Sequence, residues 1–293
     1  MNPALPPGWP NRDHSRFVRA SGLRWHVQTM GQGPALLLLH GTGASVHSWR
    51  ALMPALSERF SVVAPDLPGH GFTDAPASSR LSMPGMARAV LELLRVLNVQ
   101  PVLAVGHSAG AAILARMALD GQLKPAGLVA LNGAFLPFGG RAGQLFSPLA
   151  RVLVGVPGLP GVFSGFASRP GAVQRLLDGT GSRIEAAGVA QYARLVASPR
   201  HVASALGMMA RWDLHSLEAD LPRLQTPLLL LAGANDGTVP PDVSRRVQVL
   251  VPGAKLHLMP GLGHLSHEER PDETAALILD FAQSLGALKG TPA

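Results

Sequence analysis

The chain has 293 residues, of which 47% are hydrophobic and 15% are charged, and its formal net charge is +7. This composition argues against a disordered chain, and the length fits one α/β core that carries an inserted subdomain as well as it fits two separate domains. The arginines are scattered singly rather than clustered with aromatic residues, so the charge does not predict nucleic-acid binding. A mildly basic face would still suit an anionic substrate, an acidic partner or a membrane surface.

Three features that the sequence lacks limit the kinds of site it can form and the compartment in which we expect it. The chain contains no cysteine, which excludes disulfides, thiolate metal sites and cysteine nucleophiles. Residues 1–10 are rich in proline and lack the charged segment and apolar core of a secretion signal. The longest apolar runs, at residues 35–39 and 227–232, have only the length of strands. We therefore expect a cytoplasmic protein without a transmembrane span.

The predicted elements begin after residues 1–15, which show no periodicity and are expected to form a flexible arm. A hairpin is predicted around the Ser21-Gly22 turn. Beyond it, apolar runs alternate with segments of helical periodicity, which is typical of a mainly parallel twisted sheet with helices on both faces. The predicted strands are 17–20, 23–30, 35–40, 60–64, 102–105, 127–131, 228–232 and 255–259, and the predicted helices of this core are 48–57, 83–97, 111–119 and 271–285.

The alternation is interrupted in the middle of the chain. There, glycine and proline separate short helical patches, among them residues 188–197 and 202–210, and no run resembles a strand. We predict a core formed by residues 16–134 and 222–293, with residues 135–221 inserted as a mostly helical lid.

One serine follows a predicted buried strand in a turn rich in small residues. The strand at 102–105 leads into Gly106-His107-Ser108-Ala109-Gly110, and a helix of small residues follows. A nucleophile on a sharp strand-to-helix turn needs neighbours without side chains, because the backbone is crowded there. The spacing therefore indicates Ser108 as a nucleophile.

A serine nucleophile needs a base and an acid that orients the base. His264 follows the predicted strand at 255–259, and Asp236 follows the strand at 228–232. Asp in an Asn-Asp-Gly sequence is often only a turn former, but the order Ser, Asp, His beyond successive strands favours a catalytic triad. His267, which precedes two glutamates, is expected to be a surface residue.

The loop after the predicted strand at 35–40 supplies candidate donors to an oxyanion. The backbone N–H groups of Thr42 and Ala109 are the natural pair, with Gly43 as the alternative to Thr42. This glycine-rich loop lacks the spacing of either phosphate-binding motif, so nucleotide binding is disfavoured.

Other polar residues are expected to be structural. Asp66 and His70 lie in a turn, and His107 is expected to pack or to bond locally. Asn132 follows a strand where an acid could otherwise stand, but an amide cannot stabilise an imidazolium, which favours Asp236. No metal and no cofactor are predicted, since His264-x-x-His267 does not match a metal-ligand spacing.

Together these residues resemble the α/β-hydrolase superfamily over residues 16–285. The resemblance implies the α/β-hydrolase fold and disfavours dehalogenase and epoxide hydrolase chemistry, since those enzymes carry aspartate at the position of Ser108. More narrowly, several stretches resemble the magnesium chelatase accessory protein family BchO, which implies a link to bacteriochlorophyll biosynthesis in photosynthetic bacteria. These stretches are residues 40–45, Ser48-Trp49, the elbow continued to Met117, residues 131–134 and residues 208–214.

Two functional classes remain open from the sequence. The first is a serine esterase acting on an apolar ester or a tetrapyrrole, with an acyltransferase or perhydrolase as variants that use the same triad. The second is a binding protein that holds a tetrapyrrole or assists magnesium chelatase without turnover. Transient contact with the chelatase or a membrane surface fits either class. The residues expected to line the substrate pocket are Phe138, Phe146, Met208, Met209 and Trp212, with Arg141, Arg151, Arg169 and Arg175 as positive charges of the lid.

Overall fold

The computed structural model describes residues 5–137, 161, 165, 169 and 171–288. They contain an eight-stranded sheet with the strand order β1-β2-β4-β3-β5-β6-β7-β8. The pairs β1–β2 and β2–β4 are antiparallel, and the pairs from β4 through β8 are parallel. The strands are β1 (Ser15–Ala20), β2 (Leu23–Met30), β3 (Ala35–Leu39), β4 (Ser61–Pro65), β5 (Leu103–His107), β6 (Gly127–Leu131), β7 (Leu228–Gly233) and β8 (Lys255–Met259).

Helices cover both faces of this sheet. They are α1 (Leu52–Ser57), α2 (Met83–Leu97), α3 (Ala109–Leu119), α4 (Ala172–Asp178), α5 (Ala186–Val196), α6 (Pro199–Ala210), α7 (His215–Asp220), α8 (Pro241–Leu250), α9 (Ser266–Glu269) and α10 (Pro271–Ser284), with 3-10 turns at Arg12–His14, Val46–Trp49, Ser78–Leu81 and Leu221–Arg223. No helix among the residues described is both long enough and apolar enough to cross a lipid bilayer.

The core consists of two layers, one on each side of the sheet. Leu37 and Leu39 of β3 pack with α2, α3 and α8, whereas Leu36 and Leu38 pack with α1 and α10. Successive side chains of a strand point to opposite faces, so a strand covered on both sides is apolar at every position. This explains the uninterrupted apolar runs, and the fold class expected from the sequence is confirmed.

Helix α2 shows how the local sequence sets its own boundaries. Its apolar residues Met86, Val90, Leu93 and Leu94 are buried on one face. The helix begins after Ser82 with a proline in its first turn and ends at Asn98, whose φ of 54° is left-handed.

Two parts of the structure differ from expectation. Residues 5–14 are not a free arm, because Trp9 is buried against Phe72 and His47 and the carbonyl of Pro10 accepts a hydrogen bond from Gln28. Helix α8 has no counterpart among the predicted elements. It buries only Ser244 and Val247, which is too few residues for an evident apolar stripe.

Asp66, just beyond β4, forms hydrogen bonds with residues of three other segments of the chain. Its side chain is fully buried and bonds to Nδ1 of His26 at 2.7 Å, while the N–H groups of Val46 and Phe72 each donate at 2.8 Å. Burial alone would raise the pKa of Asp66, but the His26 charge and hydrogen bond, His40 and the Phe72 N–H outweigh it and lower the pKa to about 2. Asp66 therefore has the structural role that its turn predicts.

We expect Asp66→Asn to lower the free energy of unfolding at pH 7 by about 2–4 kcal/mol, because the amide removes the charge and one acceptor from a buried network. The free energy of unfolding of the parent should also fall by about 2 kcal/mol as the pH falls from 4 towards 2. In the unfolded chain the carboxyl has its ordinary pKa of 3.8, so it binds a proton at a higher pH than the folded carboxyl does. The variant should lack this component. Urea unfolding at several pH values measures both effects.

The matched control is Asp74→Asn. Asp74 pairs with Arg24 at 3.2 Å, and its side chain is 43% exposed. Such a pair contributes at most about 1 kcal/mol. Equal losses in the two variants would contradict the role assigned to Asp66.

Candidate active site

Ser108 occupies a strained turn between β5 and α3. Its φ of 50° and ψ of −116° lie in a region that side chains rarely adopt, at a cost of about 1–3 kcal/mol. A Cβ atom at Gly110 would collide with the carbonyl oxygen of Leu39, and one at Gly106 would collide with the backbone of Ala111. The G-x-S-x-G spacing is therefore a steric requirement of this turn.

The strained turn is held by backbone hydrogen bonds on both sides. The N–H of Ser108 donates to the carbonyl of Leu131 at 3.0 Å. Its own carbonyl accepts from the N–H groups of Ala111 and Ala134, both at 3.1 Å. These bonds fix the serine against β6 and leave its side chain half-buried at the carboxyl edge of the sheet.

Asp236 and His264 form a buried pair at the same edge. Nδ1 of His264 lies 2.7 Å from Oδ2 of Asp236, and the two residues are only 6% and 5% exposed. The other carboxylate oxygen accepts from the N–H groups of Thr238 and Val239 at 2.7 and 2.8 Å. With Nδ1–H donating to the carboxylate, Nε2 of His264 is left to exchange a proton.

Asn132 joins this pair in a way that the sequence did not indicate. Its Nδ2 donates to Oδ2 of Asp236 at 2.8 Å and to the carbonyl of Gly263 at 3.3 Å. Its Oδ1 accepts from the hydroxyl of Ser266 at 2.7 Å. Asn132 therefore stands beside Asp236 and binds it, at the end of β6 and with a left-handed φ of 49°.

The loop after β3 lies directly against the serine. A Cβ atom at Gly41 would stand 3.0 Å from Cβ of Ser108. In the part of the chain that the structure describes, no atom accepts a hydrogen bond from the N–H groups of Thr42, Gly43 or Ala109. Free N–H groups at a helix start and an adjacent loop can stabilise a developing oxyanion.

Three buried histidines hold this arrangement through backbone carbonyls. His40 bonds to the carbonyl of Gly41 at 2.8 Å, and its Nε2 accepts from the N–H of Leu67 at 2.9 Å. His107 is buried and packs against His267, which is one of its two expected roles, and it bonds to the carbonyl of His264 at 2.9 Å rather than within its own turn. His201 of α6 bonds to the carbonyl of Gly43 at 3.1 Å.

Burial keeps these imidazoles neutral. It lowers the pKa of His40 and, more strongly, that of His107, and it lowers the pKa of His201 to about 4. A neutral imidazole carries one N–H, which is the donor that each carbonyl receives. The sequence does not indicate the contacts of His107 and His201, because their partners lie more than 150 positions away along the chain.

His267 is not the surface residue that the sequence predicted. It is fully buried, and its ring packs against Trp49 and His107 with centroids 4.8 and 4.6 Å apart. The following Glu268 is also buried, where it pairs with Arg50 and accepts a hydrogen bond from Tyr192 at 2.7 Å. Glu268 is therefore internal whereas Glu269 is half-buried, and the counter-charge of Glu268 is Arg50, more than 200 positions away.

The predicted pocket residues are placed in part. Met208 is fully buried, and its sulfur accepts a hydrogen bond from the Thr42 hydroxyl at 3.5 Å, so α6 reaches the loop after β3. Met209 and Trp212 are half-buried, and Trp212 packs against the core. Residues 138, 146, 141 and 151 lie outside the described part of the chain. Among the described residues, no group of three potential ligand side chains could hold a metal ion.

We expect His267→Phe to reduce the dependence of stability on pH. Burial, Arg50 and His264 lower the pKa of His267 to about 3, whereas the unfolded chain has the ordinary value of 6.5. The unfolded state therefore binds the proton first, and stability that is complete above pH 6.5 is lost as the pH falls towards 3. Because of this histidine, the free energy of unfolding should fall by about 2 kcal/mol between pH 7 and pH 5.

Urea unfolding of the parent and of His267→Phe at the two pH values measures this difference. The control is His215→Ala, since His215 is exposed. An unchanged pH slope in His267→Phe would contradict the buried, neutral state of this ring.

Comparison with known proteins agrees with this architecture. A family model described as the alpha/beta hydrolase fold matches residues 34–271. The magnesium-chelatase 30 kDa subunit of Rhodobacter capsulatus is 41% identical over 97% of this chain and 100% of its own length. The 2-hydroxy-6-oxo-2,4-heptadienoate hydrolase of Pseudomonas putida is 26% identical over 92% and 97% of the two chains.

The solved structure of the epoxide hydrolase CorEH superposes with a TM-score of 0.78 over 92% of this chain and 99% of that chain, at 24% sequence identity, which supports the fold alone. The match over most of the chain and the near full-length similarity to the chelatase subunit decide the classification. The chain belongs to the alpha/beta hydrolase fold family and, within it, to the family of the magnesium-chelatase 30 kDa subunit.

Proposed function

We propose that this protein is a serine hydrolase that cleaves an apolar ester through an acyl-enzyme on Ser108. The observation that carries the proposal is the buried hydrogen bond between Asp236 and His264, at the sheet edge where Ser108 stands on its strained turn. The free N–H groups of Thr42 and Ala109 add the donors that this chemistry requires.

The reaction would proceed in two steps. Ser108 Oγ attacks the ester carbonyl while Nε2 of His264 takes its proton, and the N–H groups of Thr42 and Ala109 stabilise the oxyanion. The imidazolium then protonates the leaving alcohol, and the acyl group remains on Ser108. Water, activated by His264, hydrolyses this acyl-enzyme and regenerates the serine. Asp236 stabilises the imidazolium in both steps.

The substrate would enter beneath residues 135–221, which we propose as a lid over the core of residues 16–134 and 222–293. The support is that α6 reaches the oxyanion loop through Met208 and His201. Met208, Met209 and Trp212 would offer apolar surface to the substrate, together with Phe138 and Phe146. An apolar ester or a tetrapyrrole fits this chemistry.

The name of the 41% identical relative supports a biological setting in magnesium chelation. We infer a role in bacteriochlorophyll biosynthesis, in the cytoplasm, with transient contact with magnesium chelatase or a membrane surface. The same name favours a second candidate, a non-catalytic protein that binds a tetrapyrrole or assists the chelatase. An acyltransferase or a perhydrolase would use the same acyl-enzyme and differ only in the acceptor.

Purified protein should hydrolyse short p-nitrophenyl esters and should react with a serine-directed fluorophosphonate probe. Ser108→Ala should abolish both activities, because it removes the hydroxyl that forms the proposed acyl-enzyme. Hydrolysis is followed by released p-nitrophenol, and labelling by mass spectrometry of the modified peptide. The control Ser79→Ala, at an exposed position, should retain both activities. Equal turnover in Ser108→Ala would contradict this triad.

Absence of labelling, under conditions that label a known esterase, would favour the accessory protein. Complementation of a strain that lacks this protein then tests the biological role. Rescue by Ser108→Ala would show that the role does not need the acyl-enzyme.

Asp236→Asn should lower kcat on the order of 10³–10⁴-fold with little change in KM, because the amide cannot stabilise the imidazolium and favours the wrong tautomer. Steady-state kinetics with a p-nitrophenyl ester measure the effect. The control is Asp242→Asn on α8, which removes only a pair with Arg245 at an exposed site. A parent-like kcat in Asp236→Asn would exclude Asp236 as the acid.

A further inference from the structure

Residues 180–182, which we call the strap, lie between α4 and α5 and cross over the candidate site. The carbonyl oxygen of Thr180 accepts two hydrogen bonds from opposite sides. One comes from the N–H of Gly237 at 3.1 Å, and the other from the N–H of His264 at 3.2 Å. Gly237 follows Asp236 directly, so a single oxygen binds the turn of the acid and the loop of the base.

The strap and its flank also bind the residues on either side of His264. The hydroxyl of Ser182, which is 1% exposed, accepts from the N–H of Leu265 at 2.8 Å. The carboxylate of Glu269 accepts from the N–H of Gly263 at 2.8 Å and from the N–H of Arg183 at 3.0 Å. Three consecutive N–H groups of the histidine loop therefore end on the strap or on a carboxylate bound next to it.

The strap approaches the two loops at backbone distance. Gly181 has a φ of 78°, and a Cβ atom there would collide with the carbonyl oxygen of Asn235. A Cβ atom at Gly263 would collide with the backbone of Gly181. The contact thus requires glycine on both sides, which a spacer that merely joins α4 to α5 would not need.

A buried ion pair fixes the same segment from its other side. Glu268, one residue before Glu269, is held by Arg50 and by the hydroxyl of Tyr192 on α5. Arg50 also pairs with Glu185, which directly precedes α5, at 2.9 Å. The chain on the carboxyl side of the strap is therefore anchored to the helix that follows His264.

We propose that the strap consists of positioning residues that set the distance and orientation between Asp236 and His264. The inference rests on the proposed function, because it assigns a role to the strap only if these two residues act as acid and base. It also means that the proposed lid is not only a cover. Its segment at 180–182 adds hydrogen bonds to the backbone N–H groups of Gly237, His264 and Leu265, beside the contacts that Asn132 makes from the end of β6.

The first test compares Gly181→Ala with Gly253→Ala in the full-length protein. Both glycines have nearly the same left-handed φ, 78° and 77°, but a Cβ atom at Gly253 meets nothing within 4 Å. Gly181→Ala should lower kcat for a p-nitrophenyl ester on the order of 10²-fold, because a displacement of about 1 Å at the reacting groups has this effect. KM should change by less than about twofold. Gly253→Ala should keep the parent values.

A second readout needs no substrate. The Nδ1 proton of His264, bonded to Asp236, is followed as a downfield proton resonance in protein labelled with ¹⁵N-histidine. Gly181→Ala should shift or broaden this resonance, whereas Gly253→Ala should leave it in place. Parent-like kinetics and an unshifted resonance in Gly181→Ala, or equal changes in the two variants, would overturn the proposal.

Ser182→Ala and Ser182→Thr serve if Gly181→Ala does not fold. Loss of the hydroxyl leaves the N–H of Leu265 unpaired and should lower kcat about tenfold, which corresponds to about 1.4 kcal/mol. Ser182→Thr keeps the hydroxyl and should restore most of the activity and the parent resonance. If the parent hydrolyses no ester, the proposed function fails, and the resonances of the variants alone decide whether the strap holds His264.

Discussion

The hydrogen bond between Asp236 and His264 is the interaction on which the candidate site depends. It is buried, so each of its polar atoms needs a partner inside the protein. The partners of the carboxylate are Asn132 at the end of β6 and the N–H groups of Thr238 and Val239 in the turn after β7. The strap, between α4 and α5, binds the backbone N–H groups of Gly237 and His264. Residues from separate parts of the chain therefore meet at this one pair.

Three neutral histidines bind the loop after β3 and the loop of His264. His40, His107 and His201 each bond to a backbone carbonyl, in Gly41, His264 and Gly43 respectively. Burial lowers the pKa of each of these imidazoles, which therefore act as rigid hydrogen-bonding groups rather than as proton carriers. His264 differs from these three histidines because its Nδ1 bonds to a carboxylate, that of Asp236. The proposed base is therefore the one of these four imidazoles that has a carboxylate partner.

The sequence by itself determined the sheet and the positions of the candidate catalytic residues. The apolar run of β3 and the one-sided periodicity of α2 are local signals. A strand buried on both faces is apolar at consecutive positions, and a helix buried on one face is apolar at helical spacing. The Gly106-x-Ser108-x-Gly110 spacing is also local, because the crowding that requires it arises within one turn and the neighbouring strand. Asp236 and His264 were found from their positions beyond successive strands, and the structure brings them within 2.7 Å of each other.

Only the tertiary structure decided what surrounds these residues. His267 and Glu268 look like surface residues in sequence, but Trp49 and Arg50 from a distant segment bury and pair them. Trp9 and the residues around it gain order only by packing against Phe72 and His47. The strap shows no motif in the sequence, since its contacts use the carbonyl of Thr180, the close approach of Gly181 and the hydroxyl of Ser182. Contacts made by the backbone across long sequence separations carry no side-chain pattern, which is the physical reason that sequence alone could not reveal them.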